Sequence, residues 1–148
     1  MAYKALDIAK KLIKRAELDE PNGGELMSNL KLQKLLYYQQ GYHLAIMDSP
    51  LFDDNIEAWM YGPVVPNVYD AYSRYGASPL PIDSDIISME EEEERLFNQV
   101  YESFADFSAI GLMNRTHSEK PWLSSLPHDR GTVISQQLIK EFFLTQVE

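Results

Sequence analysis

The chain has 148 residues, 45% hydrophobic and 11% aromatic, with 13 Lys and Arg against 23 Asp and Glu for a formal net charge of -10. That length and apolar content suit one packed domain and exclude a disordered chain, while the acidic balance opposes nucleic-acid phosphates. The absence of cysteine excludes a disulfide scaffold, a thiolate zinc site and a cysteine nucleophile.

Residues 3–18 predict an amphipathic helix, because Ala5, Ile8, Ala9, Leu12, Ile13 and Ala16 recur at helical spacing. Its polar side is basic: over residues 1–16, Lys4, Lys10, Lys11, Lys14 and Arg15 stand against Asp7 alone. Pro21-Asn22-Gly23-Gly24 ends it in a loop. Ser28 or Asn29 can cap a second helix over 29–47, whose wide stripe of Leu32, Leu35, Leu36, Tyr38, Tyr42, Ala45 and Ile46 predicts a central position. Asp48-Ser49-Pro50 is a turn. Leu51-Phe52 and Ile56 to Tyr61 either pair as a small hairpin across Asp53-Asp54-Asn55 or run extended over the helices. Gly62-Pro63 stops that segment, and Pro63 or Pro66 opens a helix running to about Tyr75. Residues 77–87 read as a loop. Ser88 and Glu91 predict a capping box for a helix through Leu96, Phe97, Val100, Tyr101 and Phe104. A short helix follows from Ser108 to Arg115, then a loop or turns around Pro121-Trp122, then a last helix over 135–146. The expected fold is mainly α: one domain over 1–148, a compact bundle of five to six helices with at most one small β-hairpin near residues 50–62.

The sequence marks no catalytic, cofactor-binding or metal-binding set. His43, His117 and His128 lie far apart, and there is no zinc-ligand spacing, no Walker loop, no nucleophile elbow and no dinucleotide fingerprint. The acid run Glu90 to Glu94 falls in the first turn of a helix, where the macrodipole favours negative charge. The tyrosines of the first half follow core spacing rather than a basic stacking groove. No apolar run is long enough to span a membrane and no signal peptide is seen, so a cytoplasmic location is expected.

Two longer patterns carry a resemblance. Lys31-Leu32-Gln33-Lys34-Leu35-Leu36-Tyr37-Tyr38-Gln39-Gln40-Gly41-Tyr42 is similar to the signature helix of the Panacea domain, the SocA-like antitoxin family. Glu57-Ala58-Trp59-Met60-Tyr61-Gly62-Pro63-Val64, with Pro66, Val68 and Tyr69, resembles its second signature, and Thr116-His117 followed by Pro121-Trp122 and the Ile134 to Phe143 helix its third, so that the resemblance extends over residues 6–143. The resemblance implies a small, phage-associated type of antitoxin that neutralises a cognate toxin, encoded next to it, by direct protein contact. Some members of the family instead present the toxin to a cellular protease. A DNA-binding regulator ranks below both, since only residues 4–15 offer a basic face. The family supplies no catalytic residues or cofactor to carry over.

The signature residues Lys31, Leu32, Gln33, Lys34, Leu35, Tyr37, Tyr38, Gly41, Trp59, Gly62, Pro63, Val64, Tyr69, His117, Pro121 and Trp122 are expected to determine the fold, with Trp59 largely buried. Partner contacts are expected on variable surface. The two charged candidates are the basic first helix at Lys4, Lys11 and Arg15, and the acidic helix start at Glu90, Glu91 and Glu94.

Overall fold

A computed structural model describes residues 2–147. The first helix, α1 (Ala5–Asp19), buries Ala5, Ile8, Ala9, Leu12, Ile13 and Ala16, the six positions its periodicity selects. Its own N-cap, Lys4, offers no side-chain acceptor, and Asp54 Oδ1 instead accepts the Ala5 N–H at 3.1 Å. The chain then reaches α2 (Asn29–Met47), capped as expected by Ser28, whose side chain accepts from the Lys31 N–H.

Helix α2 is buried on almost every side, which explains why its apolar residues form no narrow stripe. Around it pack α1, α3 (Pro66–Tyr72), α4 (Glu91–Phe104), α5 (Ala109–His117) and α7 (Gln136–Leu144). The closest approach is to α7, made possible by Gly41. A Cβ there would stand 2.6 Å from Phe143 Cζ and nearer still to Cδ2 and Cε2. The Phe143 ring is edge-on to Tyr37 and Tyr42, with centroids 5.3 and 4.9 Å away. One continuous cluster of buried apolar side chains runs from α1 through α2 to α4 and α7.

A small antiparallel sheet lies beside α2, in the order β2-β1-β3. Strand β1 (Ile56–Trp59) turns at Met60 and Tyr61 into β2 (Gly62–Val64), pairing Glu57 with Val64 and Trp59 with Gly62. Gly62 takes φ +110°, a conformation that favours glycine. Pro63 is tolerated because β2 is an edge strand. The mainly α architecture is as expected, and three details differ. The hairpin turns at Met60-Tyr61, not at Asp53–Asn55, and Leu51-Phe52 takes the extended alternative, with Phe52 bridging to Tyr3. A third strand, β3 (Val133–Ile134), joins β1 opposite Ile56 and Glu57, outside the 50–62 span. The count of α-helices among the described residues is seven, because Pro121 opens a four-residue helix, α6 (Lys120–Leu123), in the expected loop.

The start of α4 also differs in mechanism. No Ser88–Glu91 capping box forms; Glu94 Oε1 accepts the Met89 N–H at 3.0 Å. Glu91 to Glu94 do occupy the first turn, where the exposed N–H dipoles favour them. Ser108 and Ser135 cap α5 and α7 through their side chains.

Candidate functional site

The signature residues come from distant parts of the chain and converge where α2 meets the hairpin. On α2, Gln33 accepts the Val65 N–H at 2.9 Å and donates to Asn29, which in turn donates to the Tyr69 carbonyl. Lys34 donates to the Pro63 carbonyl at 3.1 Å. One turn on, the hydroxyls of Tyr37 and Tyr38 each donate to a different oxygen of Glu119 at 3.0 Å. Lys31 reaches the Ala105 carbonyl at 2.6 Å, while Leu32 and Leu35 enter the apolar core. Further along α2, Gln39 donates to the Phe97 carbonyl and Gln40 holds both Leu51 and Phe52. Helix α2 thus fastens loops, hairpin and α4 with polar side chains that are themselves buried. Each buried group has a partner, which is the condition for such groups to be tolerated.

The third signature closes the same cluster. Trp122 lies between His117 and His128, with ring centroids 4.1 and 3.5 Å away. Its indole donates to the Trp59 carbonyl at 2.7 Å, tying α6 to the hairpin. Pro121 is buried behind it. Burial pushes the His117 imidazole below its ordinary pKa; the Met60 backbone opposes this, and the charges of Lys34 and His128 add to it. His117 Nε2 is buried without a hydrogen-bond partner.

Trp59 departs from expectation: it is half-buried, and Trp122 is the tryptophan of the core. The Trp59 ring is covered by Arg130, 4.9 Å above its centroid, and meets Tyr69 edge-on at 5.0 Å. Its indole donates to Glu57 Oε1. Arg130 is fixed by Asp70, Nη2 to Oδ2 at 2.6 Å.

Two ionisable groups in the cluster are far from water. Burial pushes the Glu119 carboxyl up, and the Tyr37 and Tyr38 hydroxyls and then Arg115 pull it back. Burial pushes Lys34 down to about 7. Sequence reasoning did not single out Glu119, since one carboxylate among 23 acids carries no local mark.

The two charged candidate surfaces face each other. Lys11 pairs with Glu94 at 2.7 Å, and Arg15 reaches Asp19 and Glu102 while covering the Tyr101 ring at 4.6 Å. Glu93 accepts from Tyr3 and lies 2.7 Å from His43 Nε2. Basic α1 therefore binds acidic α4 within the chain. Lys4, Glu90, Glu91 and Glu92 stay exposed. Among the described residues, no group of three or more His, Asp or Glu is placed to hold a metal ion. No helix there is long and apolar enough to cross a membrane.

Beside Lys34 and the hairpin opens a cleft of about 450 Å³, walled by Trp59, Tyr61, Val64 and Tyr69, with Asn29 and Gln33 on its floor. That volume lies within the range of small-ligand sites.

Comparison with known proteins matches this same region. The family described as "Antitoxin SocA-like, Panacea domain" matches residues 32–123, from the first turn of α2 to the end of α6. "Antitoxin SocA" of Caulobacter vibrioides (strain NA1000 / CB15N) is 42% identical over 80 residues, covering 52% of this chain and 40% of that protein. The chain thus matches less than half the length of that relative. No solved structure matches. The matched residues include most of those that build the buried network, Asn29 and Lys31 lying just before them, and the chain belongs to the SocA-like antitoxin family of the Panacea domain.

Proposed function

We propose that this protein is an antitoxin that neutralises a cognate toxin, the product of an adjacent gene, by direct protein contact in the cytoplasm. What carries the reading is its family membership, over residues that form a rigid internal scaffold. Such a scaffold leaves the outer surface free to vary with the partner. On a chain of net charge -10, the partner best matched by charge is basic, because complementary potentials speed encounter and select the partner. The acids exposed for it are Glu90, Glu91 and Glu92, of which Glu91 also pairs with Arg95 on the helix surface, since Glu93 and Glu94 are engaged with His43, Tyr3 and Lys11. On the other face, Lys4 is the exposed member of the basic set.

Co-expression with the neighbouring gene product tests this. Growth arrest by that product should be relieved by this chain in a wild-type host and equally in a host lacking its main cytoplasmic proteases. Relief lost in the protease-deficient host would replace masking with delivery of the toxin for proteolysis.

A further inference from the structure

Large apolar side chains exposed one by one are commonplace, but a contiguous group of them marks an interaction site. Two stand at the hairpin turn: Met60 is 66% exposed and Tyr61 63%. A two-residue turn favours Gly, Asn or Asp, so the turn itself accounts for neither. Tyr61 and Ala109, the first residue of α5, wall the same cleft, together with Trp59, Val64 and Tyr69. One residue on, Ile110 is 55% exposed and shares a face of α5 with His117, whose imidazole meets the Met60 backbone. A strip of apolar surface thus runs from the hairpin turn along α5 to the mouth of the cleft.

The backbone that presents this strip is held at both ends of the turn. Trp122 donates to the Trp59 carbonyl, Lys34 to the Pro63 carbonyl, and the Val65 N–H to Gln33. Side chains on a fixed backbone have less entropy to lose on binding, which favours them as anchors. The charge beside the cleft is negative. Glu25 and Asp106 come just before Ser28 and Ala109, which line it, and both carboxylates act on Lys31, whose ammonium bonds the Ala105 carbonyl. Two carboxylates against one ammonium leave a negative excess there, and neither carboxylate is in an ion pair among the described residues. Such a site suits an apolar side chain with a cationic neighbour, and the net charge of -10 draws partners of that sign.

We propose that the cleft and the Met60-Tyr61 turn beside it are where the toxin docks. The toxin fills the cleft with an apolar side chain against Trp59, Tyr61 and Tyr69, and an adjacent Lys or Arg meets Glu25 and Asp106. This inference rests on the antitoxin reading and adds to it the surface and the kind of segment it receives.

Calorimetric titration of the adjacent gene product into the full chain and its variants tests this, with each variant's fold checked by its melting temperature. Tyr61→Asp should weaken the complex about tenfold or more, and Tyr61→Phe should leave it unchanged. Ala77→Phe, which narrows the cleft from an exposed position on its rim, should weaken it to a similar degree. Glu25→Lys combined with Asp106→Lys should weaken it too, and the loss should shrink as salt is raised. Wild-type affinity in folded Tyr61→Asp, in folded Ala77→Phe or in the double lysine variant would overturn the proposal and leave the antitoxin reading standing. No complex with the wild-type chain would overturn both.

Discussion

Replacing Gly41 by alanine sets two effects of opposite sign against each other. In an exposed helix the change stabilises by about 1 kcal/mol, since glycine has the greater backbone entropy to lose. Here the new Cβ would stand 2.6 Å from Phe143 Cζ, with two further ring carbons closer. Carbon atoms rest about 3.5–4.0 Å apart, so the ring or α7 must retreat by about 1 Å or more. The ring has little room, because Tyr37, Tyr38, Tyr42 and Phe142 surround it with centroids 5.3, 5.9, 4.9 and 5.1 Å away. Overpacking of this kind costs about 1–3 kcal/mol, and full expulsion of the ring approaches the ~3–5 kcal/mol of a Phe→Ala truncation. With the propensity gain subtracted, Gly41→Ala should lose roughly 1–3 kcal/mol, measured by urea unfolding. The double variant Gly41→Ala with Phe143→Leu should be less destabilised than the sum of its parts, because the smaller side chain admits the methyl. A Gly41→Ala protein as stable as wild type would show that α2 and α7 do not approach as described.

Three further outcomes follow from the buried network and the charged faces. Lys34 has its folded pKa lowered below the unfolded value, so the unfolded state binds more protons between them, and stability should rise with pH from about 7 toward 9.5. Lys34→Met should flatten that rise in denaturation curves taken across this range. Glu119→Ala should cost about 2–4 kcal/mol by orphaning the Tyr37 and Tyr38 hydroxyls, whereas Glu119→Gln keeps an acceptor and should cost markedly less in thermal melts. Reversing Lys11 should destabilise by about 1 kcal/mol, with partial recovery when Glu94 is reversed with it; reversing Glu90, Glu91 and Glu92 together should lower the melting temperature, because it sets positive charge against the N-terminal dipole of α4 and opposes Arg95, whereas neutralising them to Gln should lower it less.

Local signals carried the helices well and the long-range contacts poorly. The α1 face and the Ser28 cap were legible because three- and four-residue spacing and a side-chain acceptor act within a few residues. The breadth of the α2 stripe also foretold a helix contacted from several sides. Strand β3 was not legible: it has two residues, and pairing with Ile56 and Glu57 comes from across the fold. The Met60-Tyr61 turn lacks the Asn-Gly type of signal, and its glycine falls one step later, where β2 begins. Charge runs were visible on α1 and α4, but sequence holds no sign that Lys11 meets Glu94 or that Arg15 reaches Glu102. Of the candidate site, the signature residues were found through resemblance. Their shared purpose, fastening α2 to the hairpin and α6, needed the geometry. Glu119 and Asn29 complete that network without any pattern to mark them.

The most direct test of the antitoxin reading is stoichiometric. The purified product of the adjacent gene is assayed for its growth-inhibiting activity while this protein is added in steps, with the mixtures resolved by size-exclusion chromatography. Direct neutralisation predicts a stable complex and activity that falls in proportion to added protein, reaching zero at a fixed whole-number ratio. Loss of activity at far smaller amounts without a complex, or an unaffected toxin at excess, would contradict it.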